Sequence, residues 1–364
     1  MARPTRGGGG ERALQARIVL ASLLNHAQHR GPGPAQPGLE EVQVAEFEVL
    51  VPLEGMARIG GDIEKRMNLH RLWLAPDRQA EFERLAPRIK AIAATSHHAV
   101  VDASLMSRLP NLQIVASFGV GYDHIDAAWA AEHGIVVTHT PGVLDDEVAD
   151  IAMALTLATI RKLPQAERYL REGRWRAAPY PLTASLRGRT MGVLGLGRIG
   201  KAIARRAAAF GIDVVYHGRA PQPGAPYLYY PTLQGMARAC DILMIAAPGG
   251  AQTRHIVDRA VIDAVGPDGI IVNVARGSLI DEAALIAALE EGRILGAGLD
   301  VFENEPNVPA ALLALDNAVL LPHVGSASRH TRQAMAGLMI DNLTSWLDGK
   351  GPLTPVPETP WRGG

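Results

Sequence analysis

Residues 190–200 read TMGVLGLGRIG, and this stretch restricts the possible folds more than any other in the chain. An apolar run closes on three glycines spaced G-x-G-x-x-G, Gly195, Gly197 and Gly200, and an amphipathic helical pattern follows over 199–210. In that strand–turn–helix context the first glycine permits a tight turn. The second lets a phosphate group come close to the backbone, and the third lets the helix pack against the strand. The helix start would then present the amides of Arg198 and Ile199 to a pyrophosphate.

The surroundings repeat the same alternation. Apolar runs at 49–52, 89–95, 112–118 and 135–139 read as strands, with amphipathic segments at 104–109 and 125–133 between them. After a helical pattern over 146–163, a second series of strands is predicted at 191–196, 212–216, 242–247, 270–275, 297–301 and 319–322. The segment 282–291 is helical within it. Strands this apolar, alternating with helices, call for α/β architecture with parallel sheets covered on both faces. The expected organisation is a substrate domain from 46–141 and 324–352, made discontinuous by a final helix at 330–347, and a dinucleotide-binding domain from 142–323. Residues 1–45, with a run of four glycines at 7–10, are expected to form a disordered leader, and Pro-rich 353–364 a loose tail.

Which dinucleotide fits is decided where the next strand ends. A ribose 2′-hydroxyl is usually met by an acid about 20 residues beyond the glycines. Here the strand runs into His217-Gly218-Arg219, with Gly218 at the acid's place and a guanidinium beside it. A planar cation suits a 2′-phosphate, so NADP(H) is expected over NAD(H).

Three charged residues follow predicted strands of the second series: Arg276 after 270–275, Glu305 beyond 297–301 and His323 after 319–322. Open parallel sheets place ligands at those strand ends. An arginine can clamp a carboxylate bidentately and polarise the carbonyl beside it. A histidine can move the proton that accompanies hydride transfer, and a glutamate against it would favour the imidazolium.

The same segments carry a resemblance. VNVARGSLIDEAAL (272–285), GLDVFENEP (298–306) and LPHVGSAS (321–328), with ASFGVGYDHID (116–126) and GVLGLGRIG (192–200), resemble the D-isomer-specific 2-hydroxyacid dehydrogenases over roughly residues 46–352. The resemblance implies a Rossmann coenzyme domain and a flavodoxin-like substrate domain around a cleft, working as a 2-oxoacid reductase. It implies Arg276, Glu305 and His323 as catalytic residues, and Val120 and Gly121 as amide donors to the substrate carboxylate. Asp300 would hold the nicotinamide carboxamide, and Ala247, Pro248, Thr253, Ala275 and Gly325 would line the cofactor cleft. His217-Gly218-Arg219 and the segment around Trp175 are most similar to glyoxylate/hydroxypyruvate reductases, while a bulkier substrate such as hydroxyphenylpyruvate is the alternative. Dinucleotide-sensing corepressors share this fold and triad, so the motifs alone leave that class open. A homodimer is implied, with 146–163 and the Trp175 segment as contacts.

Net charge of −1 with no basic stripe excludes a nucleic-acid-binding surface from the expectations, and no apolar run is long enough to span a bilayer. Cys240 is the single cysteine, so no internal disulfide can form, and a soluble cytoplasmic protein is expected. His97-His98, His124 and His139 have no spacing that suggests a metal site.

Overall fold

The computed structural model describes residues 47–54, 64–95, 99–361 and 363. The expected leader and His97-His98 lie outside the described residues. Two sheets organise the chain. The first has five strands in the order β2-β1-β3-β4-β5, formed by Glu48–Val51 (β1), Asn68–Arg71 (β2), Ile89–Ala94 (β3), Ile114–Ser117 (β4) and Val136–Thr138 (β5). The second has seven in the order β12-β11-β10-β9-β6-β7-β8. Its strands are Thr190–Leu194 (β6), Asp213–His217 (β7), Leu228–Tyr229 (β8), Ile242–Ile245 (β9), Ile270–Asn273 (β10), Gly296–Leu299 (β11) and Ala318–Leu320 (β12). Every strand pair in both sheets is parallel.

Full burial explains why the central strands are apolar throughout. Each residue of β4, β9, β10 and β11 is buried, because helices cover both faces. The sequence reading missed β2 and β8, and both are edge strands. β2 is NLHR, polar and partly exposed along its length, and β8 has two residues. Period and hydrophobicity have little to register in either.

The helix expected over 146–163 is Asp145–Ile160, followed by a second helix, Leu163–Arg171. The break falls at Lys162, whose φ of 49° is left-handed, and Pro164 sits in the first turn of the new helix, where its missing N–H costs nothing. Met153, Leu155 and Ile160 are buried within the chain itself, so these apolar residues of the longer helix belong to the core.

The final helix, Arg329–Leu347, returns to the first sheet. Met335, Met339 and Leu343 are buried in one cluster with Ile114 and Ala116 of β4, and the Trp346 indole donates to Gln113 Oε1 at 3.0 Å. The segment beyond this helix is anchored, which corrects the expectation of a loose tail. Val356 is fully buried and its N–H donates to Val137 O at 2.9 Å. Thr359 Oγ1 accepts from Val137 N at 3.0 Å, and Pro355 bridges Thr138 antiparallel. β5 is an edge strand whose open backbone groups need partners, and proline is tolerated there. Among the described residues no helix is long and apolar enough to cross a membrane.

Candidate active site

The chain order of the second sheet reverses between β6 and β9, and the glycine loop leaves β6 at that point. A crevice opens at such a reversal. Gly195 has φ of 92°, and a Cβ there would stand 2.6 Å from Ala247 Cα at the end of β9. A Cβ on Gly200 would lie 2.1 Å from Gly195 O, which is how closely the Arg198–Ala209 helix approaches the turn. At Gly197 a Cβ would meet nothing within 4 Å. Two glycines therefore close the turn and the third faces open space at a helix N-terminus with no side-chain cap. This is the cradle that a pyrophosphate fits.

The end of β7 lies beside the glycine loop, where Gly195 N donates to His217 O at 2.9 Å. His217 Nδ1 lies 2.8 Å from Tyr230 O, and Tyr229 donates its hydroxyl to Gly218 O at 3.3 Å. Gln222 folds back to donate to Leu196 O at 2.8 Å, joining this loop to the glycine loop. Arg219 is exposed and makes no ion pair among the described residues. By contrast, the Arg198 side chain is committed, since its Nε donates to Asp145 at 2.8 Å. On the β9 side, the Thr253 hydroxyl donates to Pro248 O at 2.9 Å and holds that loop in a turn.

Arg276 begins the short 3₁₀ turn after β10. Its carbonyl accepts from the Asn273 amide at 2.8 Å, while Asn273 Oδ1 accepts from Ala275 N at 3.0 Å. The guanidinium reaches the loop after β4 in the other sheet: a Cβ on Gly121 would stand 1.8 Å from its Nη2. Only glycine leaves that space. Asp123, which the sequence reading did not single out, accepts from Arg276 Nε at 2.8 Å. Burial alone would raise the Asp123 carboxyl, but the Arg276 charge and hydrogen bond outweigh it and hold the group below the usual carboxylate range. The signal was available as an acid two residues past Gly121 on the same strand-end loop.

His323 leaves β12 with φ of 53°, a left-handed conformation that costs a residue with a Cβ about 1–2 kcal/mol. Its N–H donates to Asp300 O at 2.9 Å, and its Nδ1 lies 2.8 Å from Glu305 Oε2. The other oxygen of Glu305 accepts from Phe302 N at 3.0 Å, so the carboxylate is fixed from both sides. Asp300 is buried and accepts from Val324 N at 2.7 Å and Gly325 N at 2.8 Å. Burial pushes its carboxyl up, against the pull of those amides and of the His323 charge. These bonds tie the end of β11 to the His323 turn, a structural duty beside the cofactor contact expected of Asp300 and Gly325. A Cβ on Gly277 would lie 1.9 Å from the Phe302 carbonyl carbon, so the arginine turn packs on the loop that carries Glu305. Arg276, Glu305 and His323 thus belong to one connected assembly, and Gly121 reaches it from the first sheet.

Residues 153–325 match the D-isomer specific 2-hydroxyacid dehydrogenase NAD binding domain. The chain is 49% identical to glyoxylate/hydroxypyruvate reductase A of Arabidopsis thaliana over 295 residues, covering 81% of this chain and 94% of that protein. It is 45% identical to hydroxyphenylpyruvate reductase of Plectranthus scutellarioides, with the same coverage of 81% and 94%. Among solved structures, an NADPH-dependent glyoxylate/hydroxypyruvate reductase from Sinorhizobium meliloti in complex with NADP and malonate superposes with a TM-score of 0.78. That pair shares 48% identity over 88% of this chain and 99% of the other. With a dinucleotide cradle and an arginine–glutamate–histidine assembly at the same strand ends, the chain belongs to the D-isomer specific 2-hydroxyacid dehydrogenase family of enzymes.

Proposed function

We propose that this enzyme is an NADPH-preferring reductase of small 2-oxoacids, with glyoxylate or hydroxypyruvate as substrate. The observation that carries the reading is the 2.8 Å contact between His323 Nδ1 and Glu305 Oε2 at the mouth of the second sheet. The relatives named for glyoxylate and hydroxypyruvate reduction support the substrate class. Gly195, Gly197, Gly200 and the amides of Arg198 and Ile199 would hold the pyrophosphate, with Gly218 and Arg219 at the 2′-phosphate. Ala247, Pro248, Thr253, Ala275, Asp300 and Gly325 would flank the rest of the cofactor. Bound there, NADPH supplies the hydride that C2 of the oxoacid accepts.

The chain's own residues do the remaining work. Arg276, with the backbone amides of Val120 and Gly121, binds the substrate carboxylate and turns the C2 carbonyl oxygen toward His323. That histidine gives the oxygen its proton from Nε2, because Nδ1 is directed to Glu305. Glu305 orients the ring and offsets its positive charge before transfer. The 45% identical hydroxyphenylpyruvate reductase favours a second reading in which the same chemistry serves a bulkier side chain.

Loss of reduced-nicotinamide absorbance separates the two. The purified protein should reduce glyoxylate and hydroxypyruvate with higher kcat/KM than hydroxyphenylpyruvate, and with NADPH better than NADH. Turnover of none of the three would end the reductase reading.

We also propose that 46–141 and 324–352 form the substrate domain and 142–323 the dinucleotide-binding domain, so that closure between them excludes water. The exposed apolar side chains of Leu163, Leu170, Trp175 and Leu182 support a homodimer formed through that segment. The lone cysteine, Cys240, which is buried, supports a cytoplasmic location.

A further inference from the structure

We propose that Asp123 is the positioning residue of the arginine clamp: from the loop after β4 it fixes the Nε edge of Arg276 and aims the Nη edge at the substrate carboxylate. The inference rests on the reading of Arg276 as that clamp and adds the residue that sets its direction.

Arg276 carries five N–H donors in a rigid plane, so fixing two of its nitrogens fixes the whole fork. Nε donates to Asp123 Oδ1 at 2.8 Å, and Nη1 donates to Ala275 O at 2.7 Å. The remaining nitrogen, Nη2, lies against Gly121, one of the two residues whose amides would share the substrate carboxylate. Steric limits act in the same direction. A Cβ on Gly249 would come 2.9 Å from Arg276 Cγ, and one on Gly121 1.8 Å from Nη2, so the side chain is hemmed in along its length.

An ordinary surface ion pair would contribute little and would leave both side chains mobile. This pair is different in place: the side chains of Arg276 and Asp123 keep only 24% and 30% of their accessible surface, and they join loops from the two different sheets. The pair also cancels its own charge, so attraction for an anionic substrate comes from where the outer N–H groups point rather than from net charge. The clamp is therefore aimed only when the two walls are together.

Charge and aim can be separated by substitution. Asp123→Asn and Asp123→Ala remove the same negative charge, but only asparagine keeps an oxygen able to accept from Nε. Aiming predicts that Asp123→Ala raises KM for glyoxylate by about 10- to 100-fold, the cost of a misplaced binding group. Asp123→Asn should stay close to wild type, and KM for NADPH should be unchanged in both. In an Arg276→Gln background, Asp123→Ala should add no further loss. Equal KM values for the two Asp123 variants, or an additive loss without Arg276, would overturn the proposal. Should Asp123→Ala not fold, Asp123→Ser, polar but too short to reach Nε, takes its place.

Calorimetric titration with oxalate, a dicarboxylate that cannot be reduced, reads the clamp without turnover. If wild type reduces no oxoacid but it and Asp123→Asn bind oxalate more tightly than Asp123→Ala, the reductase reading falls and the role of Asp123 stands. Normal turnover with no difference between alanine and asparagine has the opposite meaning, and absence of both turnover and oxalate binding rejects both.

Discussion

Arg219 and His323 are single residues whose surroundings make opposite demands. Arg219 is exposed, pairs with nothing among the described residues, and follows a strand end with no carboxylate at 217–219. A phosphate contact from such a group is worth about 1.5–3 kcal/mol. Arg219→Ala should therefore raise KM for NADPH by about 10- to 100-fold and leave NADH kinetics nearly intact. Equal losses with the two cofactors would make it structural. His323 is held in a costly backbone conformation by bonds to Asp300 and Leu321 carbonyls, and its ring by Glu305. Strain kept by surrounding bonds points to a use for that placement. His323→Ala should lower kcat by about 10²–10⁴-fold, the range for a lost general acid. Retained activity would remove it from the mechanism. Cys240 is the inert counterpart: burial pushes its thiol up to about 12, so iodoacetamide at mild alkaline pH should leave the intact mass unchanged.

At the scale of elements, the glycine loop offers a paired test. Gly200→Ala would put a Cβ 2.1 Å from Gly195 O, and the Arg198–Ala209 helix must move to admit it. Overpacking of that kind costs about 1–3 kcal/mol, so the melting temperature should fall together with cofactor affinity. Gly197→Ala meets nothing within 4 Å, and the fold should keep its melting temperature while cofactor affinity drops. Two variants that melt alike would contradict the division of labour drawn from these distances. The loop shows what a sequence can disclose. Glycine spacing, apolar strands and the strand-end positions of Arg276, Glu305 and His323 were legible because each follows from local geometry. Asp123 stood in view as an acid two residues past Gly121, but its pairing was not legible, because Arg276 lies 153 residues away in sequence and in the other sheet. β2 escaped notice because NLHR has no buried face, whereas the second helix was signalled by Pro164, one residue past the end read for the first.

Across the whole molecule, apolar surface divides into a portion that the chain covers and a portion that it leaves open. The edge of β5 is covered: residues 354–359 lie along it, and Glu358 accepts from the Tyr122 hydroxyl at 2.9 Å. Burial, helped by that carboxylate, pushes the phenol up to about 12, so it remains a donor at any physiological pH. The strap thus ends one residue from Asp123, at the loop that meets Arg276. The segment from Leu163 to Leu182 has no such cover. Leu163, Leu170, Trp175 and Leu182 are exposed there, and Leu182 retains its full accessible surface. A monomer rarely presents that many large apolar side chains in one short stretch, whereas a two-fold interface would bury them against their own copies. Light scattering should return a mass near twice 38.8 kDa. Replacing Trp175 and Leu182 together by glutamate places charges at the centre of the proposed contact without touching the core, and should halve that mass while leaving far-ultraviolet dichroism intact. A wild-type protein that already scatters as a monomer at micromolar concentration would leave these side chains without the partner proposed for them.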